Sequence, residues 1–382
     1  MKFLLIPDSF KGTLSSEQIC GLLHEAIRAH FPDAETVCIP VADGGEGSVD
    51  AFLSALGGEK QYVTVKNPFF EDMQAYYGLI DGGKTAVIEM AACAGLPLAE
   101  GRRNPCVTTT YGVGQLMTHA ANSGVKRIIM GLGGSATNDA GCGAAAAAGV
   151  KFYNGAGEAF VPTGGTLCEV AEIDLSGLEP ALRDVEIVTM CDIDNPMYGV
   201  NGAAYIFAPQ KGADPDMVKG LDDGLRHLAA VMADKLGADY PDTPGAGAAG
   251  AMGMGMLVFF GSRLQMGIQT VLDVVDFERL AADCDYIITG EGKLDSQSLR
   301  GKVVIGVAQR AKALDKHVIA VVGGADDGEI GAAYDAGVTA VFPINRLPQD
   351  FSVSRYHSEE NLRYTADNIM RLLAAEQRRA KE

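Results

Sequence analysis

The feature that most constrains this chain is a unit repeated at both ends: a short apolar strand, a loop of glycines and acids, then an amphipathic helix. Residues 3–6 lead into PDSFKG at 7–12. The following helix opens on Ser15, with Gln18 three residues on, and carries Ile19, Leu22, Leu23, Ala26 and Ile27 on one face. Residues 36–39 lead into ADGGEG at 42–47, and a second helix starts near Ser48. Toward the other end, 286–288 precede TGEGKLDSQ at 289–297, a helix covers 302–314, and 318–322 precede GGADD at 323–327. A further strand at 338–342 and a closing helix at 358–376, with Leu362, Ile369, Leu372 and Leu373 inward, complete the pattern. Such alternation argues for a parallel sheet covered on both faces by helices. Ligands of that architecture sit beyond the carboxyl ends of the strands, where these loops fall.

The middle of the chain differs in texture. It has β-rich stretches at 61–65, 74–80 and 85–90, and an Asn154-Gly155 pair that suggests a hairpin. At 382 residues the chain exceeds a typical single domain. The expected fold class is therefore α/β: a doubly wound, Rossmann- or flavodoxin-like domain from 1–65 plus 285–382, and an inserted α/β domain over 66–284. The cleft between two such bodies is the default place for a ligand.

Within the middle, LGGSATNDAG at 132–141 places hydroxyl, amide and carboxylate groups between glycines, after a short strand at 128–130 and before an alanine-rich helix from 144. Glycines let backbone N–H groups approach a ligand, and a helix start favours phosphate or carboxylate. Asp139 can hold a metal there. The same residues also suit a plain strand-to-helix turn with Asn138 or Asp139 as its cap.

Asp8, Asp43, Glu46, Asp139, Asp192, Asp194, Glu291 and Asp295 each lie in or beside a glycine- or proline-bearing loop. Carboxylates gathered at one site repel unless a cation sits among them, and oxygen ligands suit Mg2+. Lys11, Lys211, Lys293 and Lys302 stand by the same loops, as compact charges for phosphate or a substrate carboxylate. Capping and solvated surface roles are the bland alternatives for each acid and lysine.

Several classes are disfavoured. No G-x-x-x-x-G-K-[ST] or protein-kinase set occurs, and the G-x-G-x-x-G at 245–250 follows no buried strand. Ser135 lacks the nucleophile-elbow pattern, and the six histidines have no zinc spacing. A net charge of −18 argues against nucleic-acid and anionic-membrane partners. Eight cysteines without a C-x-x-C pair read as reduced cytosolic thiols, which places the protein in the cytoplasm. The run at 3–6 is too short for a signal peptide. The charge-free stretch between Asp242 and Arg263 is glycine-rich and reads as a buried helix rather than a membrane span.

Taken in order, PDSFKG (7–12), ADGGEG (42–47), TTTYGVG (108–114), GLGGSATNDAG (131–141), CDIDNP (191–196), PQKGA (209–213), PGAGAAG (244–250) and TGEGKLDSQ (289–297) resemble the class I glycerate kinase family over nearly the whole chain. The resemblance implies a two-domain α/β enzyme that transfers the γ-phosphoryl of ATP, with Mg2+, to D-glycerate, with 2-phosphoglycerate as the usual product. It implies that Gly133, Gly134, Ser135, Thr137, Asn138 and Lys293 bind nucleotide phosphates, with Asp139 and Asp43 near the metal. Glu291 and Asp295 bind metal or ribose. Asp8, Ser9, Lys11 and Lys211 meet the substrate, Lys11 also serving the transferring phosphoryl group. Asp192 orients or deprotonates the glycerate hydroxyl, with Asp194 as its near rival. A homo-oligomer is compatible with this reading. The alternatives are transfer to the 3-hydroxyl, a related hydroxy acid as acceptor, and a sugar-acid binding protein without turnover.

Overall fold

The computed structural model describes residues 1–41 and 47–379. Its strands run in chain order as β1 (Lys2–Pro7), β2 (Glu35–Cys38), β3 (Glu59–Lys66), β4 (Asp72–Ile80), β5 (Thr85–Glu89), β6 (Arg127–Gly131) and β7 (Lys151–Asn154). They continue as β8 (Ala159–Phe160), β9 (Val170–Asp174), β10 (Glu186–Met190), β11 (Arg263–Gln265), β12 (Tyr286–Glu291), β13 (Val318–Val322) and β14 (Val338–Pro343). The chain divides into two compact units, one of 1–42 with 266–382 and one of 43–265.

In the first unit both chain ends build one parallel sheet in the order β14-β13-β12-β1-β2. All five residues of β13 and the 3–7 stretch of β1 are buried, as befits strands covered on both faces. Helix Ser16–His30 starts with the reciprocal cap read from sequence: Gln18 N–H donates to Ser15 Oγ (3.2 Å) and Ser15 N–H donates to Gln18 Oε1 (2.8 Å). Its apolar stripe packs over the sheet and against helix Ser358–Arg379, from which Leu362, Ile369 and Met370 point inward. Leu372, expected inward, is 61% exposed; Met370 takes the buried place, because Leu362, Ala366, Ile369 and Met370 follow the 3.6-residue period. The chain leaves β1 for β2 on one side and returns to β12 on the other, so the switch point of the sheet lies between β1 and β12.

The second unit holds a mixed six-stranded sheet, β11-β10-β6-β5-β4-β3, and a small antiparallel sheet, β8-β7-β9. β11, β10, β6 and β5 run parallel, while β4 and β3 are antiparallel additions. The unit boundaries differ from the expected ones at 65/66 and 284/285. Strand β3 pairs with β4 from Glu59↔Leu79 to Lys66↔Asp72, and helix Ser48–Leu56 packs on β4 and β5, which draws 47–65 into the second unit. Helix Gly267–Val274 packs instead on helix Val303–Lys312, and Arg310 pairs with Asp273 (2.5 Å) and Glu278 (2.6 Å), which draws 266–284 into the first. The Asn154 turn forms as read: Gly157 N–H donates to the Asn154 carbonyl (2.9 Å) and β7 pairs with β8. The charge-free segment holds a buried helix, Ala248–Phe260, entered through a loop in which Ala249, Gly250 and Ala251 take left-handed backbone angles. No helix among the described residues is long and apolar enough to cross a membrane.

Candidate active site

The candidate residues fall into two groups, one in each unit. In the second unit the parallel register brings the ends of four strands level, with Glu89 and Met190 both opposite Gly131 and Met190 opposite Gln265. The loops after β6 and β10 emerge side by side. The 244–251 loop packs on both, with Gly247 N–H donating to the Asn195 carbonyl (3.0 Å) and Ala140 N–H to the Gly250 carbonyl (3.1 Å). Gly250 has φ +70°, and a Cβ there would stand 2.0 Å from the Thr137 carbonyl oxygen, so only glycine fits.

Asp139 is fully buried, and both of its oxygens accept hydrogen bonds. Its Oδ2 accepts from Thr110 N–H (2.7 Å), Thr110 Oγ1 (2.9 Å), Thr109 Oγ1 (3.5 Å) and Gly143 N–H (3.3 Å), and its Oδ1 accepts from Gly141 N–H (3.2 Å). Burial pushes this carboxyl up from the usual range, with the bonds from Thr110, Gly141 and Gly143 acting the other way. The helix after the loop is only Cys142–Ala147, and its first amides are taken by Asp139 and by Thr110 Oγ1, which accepts from Ala144 N–H (2.9 Å). The expected anion site at this helix start is thus filled by the protein's own carboxylate. Asp139 ties TTTYGVG to the glycine loop through hydrogen bonds to both of its oxygens.

Lys211 is also buried, at 2% exposure. Its Nζ donates to Ser135 Oγ (2.8 Å) and to the Thr137 carbonyl (2.6 Å), so it holds the glycine loop from beneath rather than facing solvent. Burial pushes its ammonium down to about 7, against the upward pull of the Asp139 carboxylate. Ser135 Oγ accepts in this contact. Gly133 and Gly134 remain at the surface of the loop, Gly134 in the left-handed region at φ +74°. Thr137 Oγ1 and both amide atoms of Asn138 are buried without a hydrogen-bond partner, a costly state that a polar group would relieve. Asp192 is half-buried and Asp194 exposed in the loop after β10. Cys191 beside them donates to the Ile193 carbonyl (3.5 Å), and burial pushes its thiol up to about 11, an inert state.

In the first unit, the loops after β1 and β12 meet at the switch point. Asp8 N–H donates to the Gly290 carbonyl (2.8 Å), and Gly292 lies against the backbone of Phe10 and Lys11. Ser9 N–H donates to Asp8 Oδ1 (2.6 Å), and Lys11 is exposed. Glu291 closes β12 with 6% exposure, and its Oε1 is buried without a partner. Burial first, then the Asp8 and Asp295 carboxylates, push it up to about 7, with Ser298 and Lys302 acting the other way. Asp295 spends Oδ1 on the amides of Gln297 (2.9 Å) and Ser298 (3.3 Å), and Lys293 pairs with Asp326 (2.9 Å).

No cluster of three or more metal-ligating side chains exists among the described residues, so the expected gathering of carboxylates is not found there. Mg2+ needs less than that, because it keeps waters and phosphate oxygens and takes one or two carboxylates. Glu291, with an orphaned buried oxygen beside a second carboxylate at Asp8, fits it. Asp43 and Glu46 lie at 42–46, outside the described residues.

Sequence reading missed Glu89, which is 2% exposed at the end of β5 and accepts from the amides of Gly47 (3.3 Å) and Val49 (2.5 Å). It caps helix Ser48–Leu56, whose N-cap residue Gly47 offers no side chain. An acid ending an otherwise apolar strand was the signal available.

The sequence profile of the Glycerate kinase family matches residues 3–374. The chain is 44% identical over 345 residues to a protein named Glycerate 2-kinase from Escherichia coli (strain K12), covering 90% of both. It is 43% identical to a protein named Glycerate kinase from Bacillus cereus, covering 97% of both. A crystal structure of a protein assigned as glycerate kinase 2 from Salmonella typhimurium LT2 superposes with a TM-score of 0.86 at 39% identity, over 99% of each chain. The chain is an enzyme that belongs to the glycerate kinase family.

Proposed function

We propose that the chain transfers the γ-phosphoryl of ATP to the 2-hydroxyl of D-glycerate, giving 2-phosphoglycerate and ADP. The position rests on the 44% identity to a relative named Glycerate 2-kinase over 90% of both chains. Phosphoryl transfer asks chiefly for in-line positioning and charge neutralisation, and the loops at the carboxyl ends of the two sheets' strands offer groups for each.

Gly133 and Gly134 present backbone amides to nucleotide phosphates, on a loop that Lys211 and Asp139 hold in shape. Lys293 and Lys11 add positive charge, and Ser9 meets the acceptor with Lys11. Asp192 orients the glycerate hydroxyl and accepts its proton, with Asp194 two residues on as the alternative. Glu291 and Asp8 hold Mg2+, which when bound supplies charge neutralisation at the phosphates. The eight cysteines are free thiols, which supports a reducing, cytoplasmic setting.

The test is a 31P NMR assay of the purified protein with ATP, Mg2+ and D-glycerate. A new phosphomonoester resonance matching 2-phosphoglycerate is expected. A match to 3-phosphoglycerate overturns the position and keeps the reaction. No transfer by a folded sample overturns glycerate as the acceptor.

A further inference from the structure

Asp222 lies outside every loop assigned above. It is a carboxylate at 3% exposure in helix Pro215–Leu236, on the face that carries the core residues Val218, Leu221, Leu225 and Leu228. A charge is kept in such a place only where it is paired and hydrogen-bonded. Asp222 Oδ1 accepts from Gly199 N–H (2.7 Å) and Oδ2 from Arg226 Nε (2.9 Å). Arg226, one helical turn on, lays its guanidinium over the Tyr198 ring, 4.5 Å from the ring centroid. One helix thus grips two adjacent residues, Tyr198 and Gly199. Gly199 takes the left-handed conformation, at φ +95°, and its carbonyl accepts from Gly202 N–H (2.8 Å). Asn195 Nδ2 donates to the Asn201 carbonyl (2.8 Å), so 195–202 closes on itself as a loop. Asp192 and Asp194 stand between this loop and Cys191, whose N–H donates to the Gln265 carbonyl (2.9 Å) at the end of β11.

We propose that Asp222, paired with Arg226, is a positioning residue for phosphoryl transfer: it fixes the 195–202 loop and, through Asn195, the stance of Asp192 and Asp194. The proposal rests on the reading that one of these aspartates orients the glycerate hydroxyl and takes its proton. Because its acceptor is ionised, the Gly199 bond is of the strong, charge-assisted kind. A hydrophobic side chain at 222 would suit the core face as well or better, so what the carboxylate adds is the fixed geometry of Gly199. That geometry matters for rate, since a reacting group misplaced by about 1 Å costs up to about a hundredfold.

The experiment uses the full chain with ATP, Mg2+ and D-glycerate, and pairs kinetics with amide hydrogen exchange. In Asp222→Ala, kcat is expected to fall about tenfold or more while KM for ATP stays within about twofold. Asp222→Asn, whose Oδ1 still accepts from Gly199, is expected to recover most of the loss. In the Asp192→Asn background, Asp222→Ala is expected to take less than about twofold more, because nothing is left to position. A general loss of folded protein would instead multiply the two effects, and multiplied effects overturn the proposal. Exchange over 195–202 is expected to rise about tenfold in Asp222→Ala, and unchanged exchange there overturns the proposal whatever Asp192 does. Where Asp222→Ala does not fold, Arg226→Met, at a half-exposed side chain, is expected to raise the same exchange, and no rise overturns the proposal. Wild-type kcat in Asp192→Asn marks the failure of that aspartate as proton acceptor, and the same cycle on Asp194→Asn then decides. Wild-type kcat in both overturns the proposal together with the reading it rests on.

Discussion

Replacing Asp139 by Asn separates two roles that a buried acid in a kinase loop can have. As the internal anion of its loop, Asp139 accepts from three backbone amides and two threonine hydroxyls. An amide in its place turns an NH2 group toward at least one backbone N–H, and stranding a buried donor costs about 1–3 kcal/mol. Asp139→Asn is therefore expected to lower stability by about 2 kcal/mol or more in urea unfolding, with the Mg2+ dependence of activity unchanged. A metal ligand would give the reverse, with stability kept and the Mg2+ requirement shifted. Lys211 is the second buried charge of the loop. An unfolded lysine titrates near 10.5, whereas burial pushes the folded Lys211 down to about 7. Between those values the unfolded chain binds more protons, so this group makes stability rise with pH from about 7 to about 10.5. In Lys211→Met that rise is expected to disappear from the pH profile of the urea midpoint. The same variant leaves the Thr137 carbonyl and Ser135 hydroxyl without their donor, and kcat/KM is expected to fall about tenfold or more, about 1.4 kcal/mol of transition-state stabilisation. The residue types of this loop were readable in advance, but their direction was not. Whether a carboxylate turns to solvent or back to its own amides depends on Thr109 and Thr110, some 30 residues earlier, and no local spacing records that pairing.

At the scale of elements, alternation and capping carried most of the information. The Ser15–Gln18 box, the buried runs of β1 and β13 and the Asn154 turn depend on residues within a few positions of one another, so they were legible. Close approach between elements was not. Helix Tyr111–Asn122 crosses helix Cys142–Ala147 at Gly114, where a Cβ would stand 2.1 Å from the Ala144 carbonyl oxygen. Gly220, exposed in the second turn of helix Pro215–Leu236, has no atom beyond its own stretch of helix within 4 Å of its Cβ position. Glycine inside a helix costs about 0.5–1 kcal/mol relative to alanine, which sets the sign at an open site. A clash with backbone reverses it, because overpacking costs about 1–3 kcal/mol. Gly220→Ala is expected to raise the thermal midpoint, and Gly114→Ala to lower it, in paired calorimetric scans. Two upward shifts would mean that the contact at Gly114 relaxes without cost.

Across the whole molecule, the α/β class and the joining of both chain ends in one parallel sheet followed from the repeated strand-loop-helix unit, whereas the boundaries between units did not. Residues 59–65 alternate like any strand, and only their partner, β4, decides which sheet they join. Residues 267–284 carry an ordinary amphipathic pattern, and their side is decided by Arg310, which reaches Asp273 and Glu278 from a helix 32 to 37 positions later. These are long-range choices, invisible to a local reading. They make the second unit a continuous segment with its own core, from Val65 and Ala75 through Ile128 and Met130 to Phe259 and Phe260. A fragment of residues 43–265 is expected to fold alone and unfold in one cooperative urea transition, with dispersed amide resonances. A fragment cut at 66–284 lacks β3, which leaves the whole of β4 as an open edge, and keeps helices Gly267–Val274 and Phe277–Ala282 without the helix they pack on. An unpaired strand edge beside stranded apolar helices favours association, so the second fragment is expected to sediment as aggregate under the same conditions. Equal solubility and cooperativity of the two fragments would show that β3 and helix Ser48–Leu56 add nothing to the second unit, and that its boundary lies at the 65/66 junction instead.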